Sequence, residues 1–83
     1  MNGRRVYPND KGELWLQPGD YGIDPRDGHW YARAPTGDMG NLSAHEVTEH
    51  PDGTITVSPS IAISDDQKEL WHGYLERGEW RKA

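Results

Sequence analysis

Hydrophobic and polar residues alternate along several short segments of the chain, each introduced by a glycine. The glycines at positions 12, 28, 53 and 78 each precede a run whose second residue is large and apolar. Alternation with a period of two places every second side chain on one face of a strand, and glycine supplies the positive φ of a tight turn. The pattern therefore predicts four strand starts, each with a large apolar residue at its second position: Leu14, Trp30, Ile55 and Trp80.

The predicted strands are short and are concentrated in the C-terminal half. Pro59 cannot donate a hydrogen bond to a sheet, so we expect a bend or a sheet edge at this residue. The strands that the pattern predicts are residues 13–17, 29–34, 54–58, 61–64, 69–76 and 79–81.

One short helix is predicted between the second and third of these strands. Ser43 is followed three residues later by a glutamate, which is the spacing of a capping box. Pro51 disfavours helical geometry at the residue before it, so the helix would cover residues 44–49. Two turns of helix are not stable alone, and we expect this helix to dock on the sheet.

Length and composition then define the fold class. A chain of 83 residues forms one domain. Only 33% of its residues are hydrophobic and none is phenylalanine, so four tryptophans and four tyrosines must supply much of the core. We expect a mostly β (α+β) domain over residues 11–83, with a small antiparallel sheet of about five strands and one short capped helix. Residues 1–10 are expected to form a poorly ordered N-terminal arm.

The charge balance and the apolar runs restrict partners and location. Fourteen acidic against nine basic residues give a net charge of −5, which argues against direct nucleic-acid binding. No apolar run approaches the roughly 20 residues of a membrane span, and the N-terminus lacks a signal-peptide core. We therefore expect a cytoplasmic protein that does not contact membranes.

Signals for metals, cofactors and catalysis are weak. The chain has no cysteine, which excludes disulfides, cysteine nucleophiles and thiolate zinc sites. His45 and His50 are five residues apart and miss the spacing of paired ligands on a helix, so no metal and no cofactor are expected. No serine lies in a nucleophile elbow. Ser60 with His72 could form a nucleophile and base pair, but the sequence gives no geometry for it. We assign no catalytic residue, and whether the protein is an enzyme stays open.

The strongest functional signal is a polar and aromatic face on two predicted strands. In residues 70–82, alternation places Trp71 and Leu75 on one face, and histidine, tyrosine and arginine on the other. The stretch from Trp30 to Arg33 repeats this arrangement, and such a composition is favoured at protein interfaces. The predicted binding residues are Tyr31, Arg33, His72, Tyr74, Arg77 and Arg81.

Three stretches, GHWYARAPTG, HEVTEHPDGTITVSPSI and WHGYLERGEW, resemble a group of small uncharacterised bacterial and phage proteins. The shared features are a Pro-Ser-Ile triplet, here beginning at Pro59, and a hairpin that starts at a histidine and closes on Gly-x-Trp, here His72 to Trp80. The likeness covers residues 28–81. Some relatives in the wider group carry cysteines that suggest a zinc site, and this chain has none. The resemblance implies a folded domain in a phage or prophage setting and implies no catalytic activity.

We therefore expect a small cytoplasmic, phage- or prophage-associated accessory protein that binds another macromolecule, namely a host or phage protein. One alternative is an acidic nucleic-acid mimic that inhibits a DNA-binding protein. Another is a minor virion or assembly component that joins copies through sheet edges. The oligomeric state and any small ligand stay open.

Overall fold

Eight β-strands and no helix make up the computed structural model, which describes all 83 residues. They form two four-stranded sheets, in the orders β1-β2-β3-β4 and β5-β6-β7-β8. Every pair is antiparallel except β1 with β2. The mostly β prediction is confirmed, whereas the single five-stranded sheet and the helix are wrong. The strands are β1 (Arg4–Arg5), β2 (Asp20–Asp24), β3 (His29–Arg33), β4 (Met39–Asn41), β5 (Glu46–Glu49), β6 (Ile55–Asp65), β7 (Lys68–Glu76) and β8 (Glu79–Lys82).

The hydrophobic core contains residues from both sheets and therefore lies between them. The β7–β8 hairpin contributes Trp71, Leu75 and Trp80. Their side chains point inward, as the alternation of the sequence predicts. The two tryptophan rings meet edge to face, with centroids 5.2 Å apart. The other members of the core are Tyr21, Ala32, Ala34, Leu42, Ile55, Val57, Ile61 and Ile63.

Residues 46–49, predicted as helix, form strand β5 instead. Val47 pairs with Val57, and Thr48 pairs with Thr56. These β-branched side chains favour a strand over a helix. The segment between the strands closes a turn on Gly53, which has a φ of 89°. A helix of two turns gains little by itself, so pairing with a long neighbouring strand overrides the local capping signal.

The other strand predictions agree with the structure in part. The segments predicted at 29–34, 69–76 and 79–81 correspond to β3, β7 and β8. The two segments on either side of Pro59 join into the single strand β6, which has a register shift between Val57 and Ile61 and a cis peptide bond before the proline.

The segment 13–17 is not a strand, although its side chains alternate as predicted. Leu16 is buried and Trp15 is exposed. Leu14 packs over Gly22, where a Cβ would lie 3.0 Å from the leucine Cδ1. The segment therefore covers the outer side of the β1–β4 sheet.

Residues 1–6 bridge the two sheets and belong to the segment 1–10 that the sequence predicts to be a poorly ordered arm. The amide of Trp80 in β8 donates to the carbonyl of Met1 (2.8 Å), and the amide of Gly3 donates to Gly78 (2.6 Å). Strand β1 then continues along β2. The Trp80 indole also donates to the Gly19 carbonyl (2.9 Å), which adds a second link between the sheets. No helix of the chain has the length and apolar character to span a membrane.

Candidate functional site

The β5–β8 sheet has a polar face directed away from the core. Because Trp71, Leu75 and Trp80 point inward, their neighbours along β7 and β8 point outward. We define the outer face as the outward side chains of this sheet: Thr48, Thr56, Ser58, Ser60, His72, Tyr74, Glu76 and Arg81.

Two open grooves cross the outer face and share Thr56, Glu76 and Arg81. The first groove has a volume of about 640 Å³, and no hydrophobic residue lines it. It also includes Asn2, Thr48, His50, Arg77 and Glu79. The second groove has a volume of about 470 Å³ and lies over the register shift in β6. Its remaining residues are Val57, Ser58, Pro59, Ser60 and Tyr74.

Tyr74 is the large aromatic side chain of the outer face, and 41% of its surface is exposed. It pairs across the hairpin with Arg81, whose guanidinium carbon lies 5.5 Å from the centre of the tyrosine ring. Such an exposed cation–π contact is worth about 0.5–1 kcal/mol. Arg81 also forms an ion pair with Glu76, so the arginine is held on both sides and in turn restrains the ring.

The hairpin turn next to Tyr74 carries a charge that the chain leaves unpaired. Arg77 has a positive φ of 46°, and its amide donates to the Thr56 hydroxyl (3.0 Å). Its guanidinium forms no ion pair, and neither does the carboxylate of Glu79. The first groove therefore presents one free charge of each sign.

Asp52 adds a carboxylate near the Arg77 end of the first groove. The hydroxyl of Thr54 (2.6 Å) and the Thr54 amide (3.0 Å) both donate to this carboxylate, and these bonds lower the pKa of Asp52. The charges of His50 and Arg77 lower that pKa further. Asp52 is therefore ionised at neutral pH.

His72 lies beside Ser60 on the outer face and close to Glu69 of its own strand. Its Nε2 lies 2.9 Å from the Ser60 hydroxyl oxygen. Its Nδ1 lies 3.9 Å from a carboxylate oxygen of Glu69. The pairing that the sequence raised between Ser60 and His72 is thus a direct contact.

Tyr31 and Arg33, the other two predicted binding residues, belong to strand β3 in the opposite sheet. The Tyr31 hydroxyl donates to Asp27 (2.5 Å), which raises the pKa of the tyrosine and lowers the pKa of the aspartate. Arg33 donates to the carbonyls of Gly37 (2.7 Å) and Leu16 (2.9 Å), so it fixes two loops. The structure groups His72, Tyr74, Arg77 and Arg81 and does not bring these two residues to them.

Trp15 is an exposed aromatic residue that the sequence-based site did not include. It is 72% exposed and lies on the segment that covers the β1–β4 sheet. A small cleft of about 200 Å³ on that side is lined by Leu14, Leu16, Tyr31 and other residues. The signal was present, because alternation that turns Leu14 and Leu16 toward the sheet places Trp15 outward.

His45 and His50, the two histidines that flank strand β5, contact other residues of the chain. His45 Nε2 lies 3.2 Å from the Ser60 carbonyl, and because a carbonyl only accepts, this nitrogen carries the proton. His50 Nε2 lies 2.7 Å from the Thr56 hydroxyl. The chain contains no group of three or more histidine, aspartate or glutamate side chains placed to share a metal ion.

Comparisons with known proteins give no relative of this chain. No family model, no curated protein and no solved structure matches it.

Proposed function

We propose that the chain is a small cytoplasmic accessory protein, associated with a phage or prophage, that binds a host or phage protein through the outer face of the β5–β8 sheet. The observation that carries the proposal is the Tyr74–Arg81 pair, an exposed ring restrained by a guanidinium between two open grooves. Tyrosine and arginine are enriched among the residues that dominate binding energy. A side chain that is already restrained loses less entropy when a partner binds.

The charges of the first groove favour a protein partner of mixed charge. Arg77 and Glu79 have no ion-pair partners in the chain, so we expect the partner to place a carboxylate opposite Arg77 and a basic side chain opposite Glu79. Nucleic acid is disfavoured, because Glu76 and Glu79 line the same groove and the net charge is −5.

The acidic-mimic alternative has less support from the charge distribution. Four carboxylates form ion pairs with arginines of the same chain, which reduces the free acidic surface that mimicry needs. These carboxylates belong to Asp20, Asp24, Glu49 and Glu76. The assembly alternative requires self-association and is an outcome of the experiment below.

The test is affinity capture with matched variants from a lysate of the bacterium that carries the phage or prophage. The wild-type chain and Trp15→Ala, a control on the opposite sheet, are expected to retain the same protein in stoichiometric amount. The double variant Tyr74→Ala/Arg77→Ala is expected to lose it.

With the purified partner, the double variant should raise the Kd by roughly 30-fold or more, as for a binding hot spot. Its thermal midpoint should change by less than about 4 °C, as expected for surface substitutions.

Three outcomes would contradict the proposal. Loss of the protein in Trp15→Ala and its retention in the double variant would move the contact to the other sheet. Capture of DNA-binding proteins alone, abolished by high salt, would favour the acidic mimic. A multimer in light scattering whose assembly depends on Tyr74, with no captured partner, would favour the assembly component.

A further inference from the structure

Ser60, His72 and Glu69 form a row of three polar side chains across strands β6 and β7. The distances are 2.9 Å from Ser60 Oγ to His72 Nε2 and 3.9 Å from His72 Nδ1 to Glu69 Oε2. The order hydroxyl, imidazole, carboxylate is that of serine nucleophiles with a histidine base and an acidic residue that orients it. This arrangement occurs on unrelated folds and is recognised by its geometry.

The register shift in β6 places Ser60 where the pairing is irregular. Val57 pairs with Leu75 and Ile61 pairs with Gly73, so three residues of β6 face one residue of β7. Irregularities of this kind redirect side chains and are common beside active sites. The backbone at Ser60 is fixed from the other side, because its carbonyl accepts a hydrogen bond from His45.

The protons in this row can be arranged for base catalysis. When His72 is neutral with its proton on Nδ1, Nε2 accepts the hydrogen bond from the Ser60 hydroxyl, and Nδ1–H faces Glu69. The distance of 3.9 Å is longer than a hydrogen bond. The Glu69 side chain is 61% exposed and free to change its rotamer, and such contacts often tighten only when substrate is bound.

We propose that Ser60 is a nucleophile toward small carboxylic esters, with His72 as its base and Glu69 as a positioning residue. Ser60 Oγ bonds to the acyl carbon as its proton passes to His72 Nε2. The bond from that carbon to the alkoxy oxygen then breaks, and the alcohol leaves with the proton from Nε2. Water adds to the acyl group by the same route, which releases the acid and restores Ser60.

The second groove provides room for an ester beside the nucleophile. Ser60 lines this groove of about 470 Å³ together with Tyr74 and Arg81. These two side chains carry O–H and N–H donors, the groups that stabilise a developing oxyanion. The proposal does not depend on a protein partner, and its failure would leave the proposed function untouched.

Labelling with a fluorophosphonate tests the nucleophile directly. Displacement of fluoride by Ser60 forms an oxygen–phosphorus bond, and the intact mass should show one adduct per chain, located at Ser60 by fragmentation. p-Nitrophenyl acetate should likewise acetylate Ser60 and release p-nitrophenol.

His72→Gln is expected to slow both reactions about 100-fold or more, since a general base contributes that much. Ser64→Ala, a control at an exposed serine on the same strand, should react as wild type. Adducts absent from Ser60, or formed there at the same rate in His72→Gln, would overturn the proposal.

The chain has no cysteine, so a single cysteine introduced at position 60 gives a second test of His72 as the base. The Ser60→Cys variant should react with iodoacetamide at neutral pH at least about tenfold faster than Ser64→Cys, because a neighbouring imidazole promotes the thiolate. Adding His72→Gln should remove the difference. Equal rates in the two cysteine variants would contradict activation by His72.

Rescue by a conservative variant distinguishes positioning by Glu69 from a merely structural role. In Glu69→Gln the labelling rate should fall while the thermal midpoint stays unchanged, because the amide no longer stabilises the imidazolium that forms as Ser60 reacts. Glu69→Asp should restore the rate in part. Identical labelling rates in all three proteins would exclude Glu69 from the mechanism.

Discussion

Gly73 lies beneath an aromatic ring in the middle of β7, and its missing side chain is what allows the core to pack. A Cβ at this position would lie 2.8 Å from Cζ2 of Trp71 and would also collide with the Arg81 carbonyl. A glycine inside a strand leaves a space that a neighbouring ring can fill. The ring belongs to Trp71 of the same strand, and which neighbour fills a gap depends on rotamers that alternation does not specify.

Gly73→Ala is therefore expected to destabilise the fold by about 1–3 kcal/mol through overpacking. A domain of this size loses roughly 4–8 °C per kcal/mol, so the thermal midpoint should fall by about 4 °C or more. Gly40→Ala is the matched control, because a Cβ there would lie 3.4 Å from Ile63 Cδ1, which is close to an ordinary contact. Equal losses in the two variants would show that the contacts with Trp71 and with the Arg81 carbonyl do not exclude a side chain at Gly73.

The Asp27–Tyr31 hydrogen bond predicts a loss of stability in acid. It lowers the pKa of Asp27 below the ordinary value of 3.8, and the His29 amide lowers it further. A carboxyl whose pKa is lower in the folded state stabilises the fold above the unfolded pKa, and this contribution is lost as pH falls through the folded pKa. Asp27→Asn should therefore lower the thermal midpoint at neutral pH and flatten its decline in acid. Asp10→Asn, at an exposed aspartate, is the control, and matching curves for all three proteins would contradict the effect.

At the scale of elements, the sequence predicts the strands whose alternation is regular. It misses the strands that form only because they pair with a distant segment. Strands β3, β7 and β8 carry tryptophan, tyrosine or leucine at alternate positions and were predicted. Strand β2 has aspartate at both ends and glycine at its centre, residues with low strand propensity, and it forms by pairing with β1 and β3. Strand β5 was predicted as helix because its capping signal is local, whereas its pairing with β6 is not.

The N-terminal segment is the element on which sequence and contacts differ most. Gly3 lies where a Cβ would approach Trp80 Nε1 to 2.8 Å and Tyr21 Cε2 to 2.9 Å. Gly3→Ala should therefore separate the segment from β8 and lower the thermal midpoint.

In the wild-type protein, hydrogen exchange at the amides of Gly3, Val6 and Trp80 should be slow, since each donates to a carbonyl. Fast exchange at Gly3 and Val6, with no effect of Gly3→Ala, would support the poorly ordered arm that the sequence predicts.

At the scale of the whole molecule, the sequence predicts the chemistry of the candidate site but not its division between two sheets. Tyr31 and Tyr74 occupy similar positions in similar strands, and only the topology separates them. Strand order depends on which hairpins pair, and the alternation within each strand gives no signal for it. The Ser60–His72 contact is likewise not visible in the sequence. The two residues are twelve positions apart, and their side chains come within 2.9 Å only when β6 and β7 pair.

Photo-cross-linking from the outer face tests the central claim most directly. A photoreactive phenylalanine derivative is placed at position 74 in one protein and at position 15, on the opposite sheet, in another. After irradiation in the host lysate, the account predicts one dominant cross-linked protein from position 74, reduced when Arg77→Ala is added. It predicts no cross-link to that protein from position 15. The same protein cross-linked from position 15 alone, or no cross-link from position 74 except to a second copy of the chain, would contradict binding through the outer face.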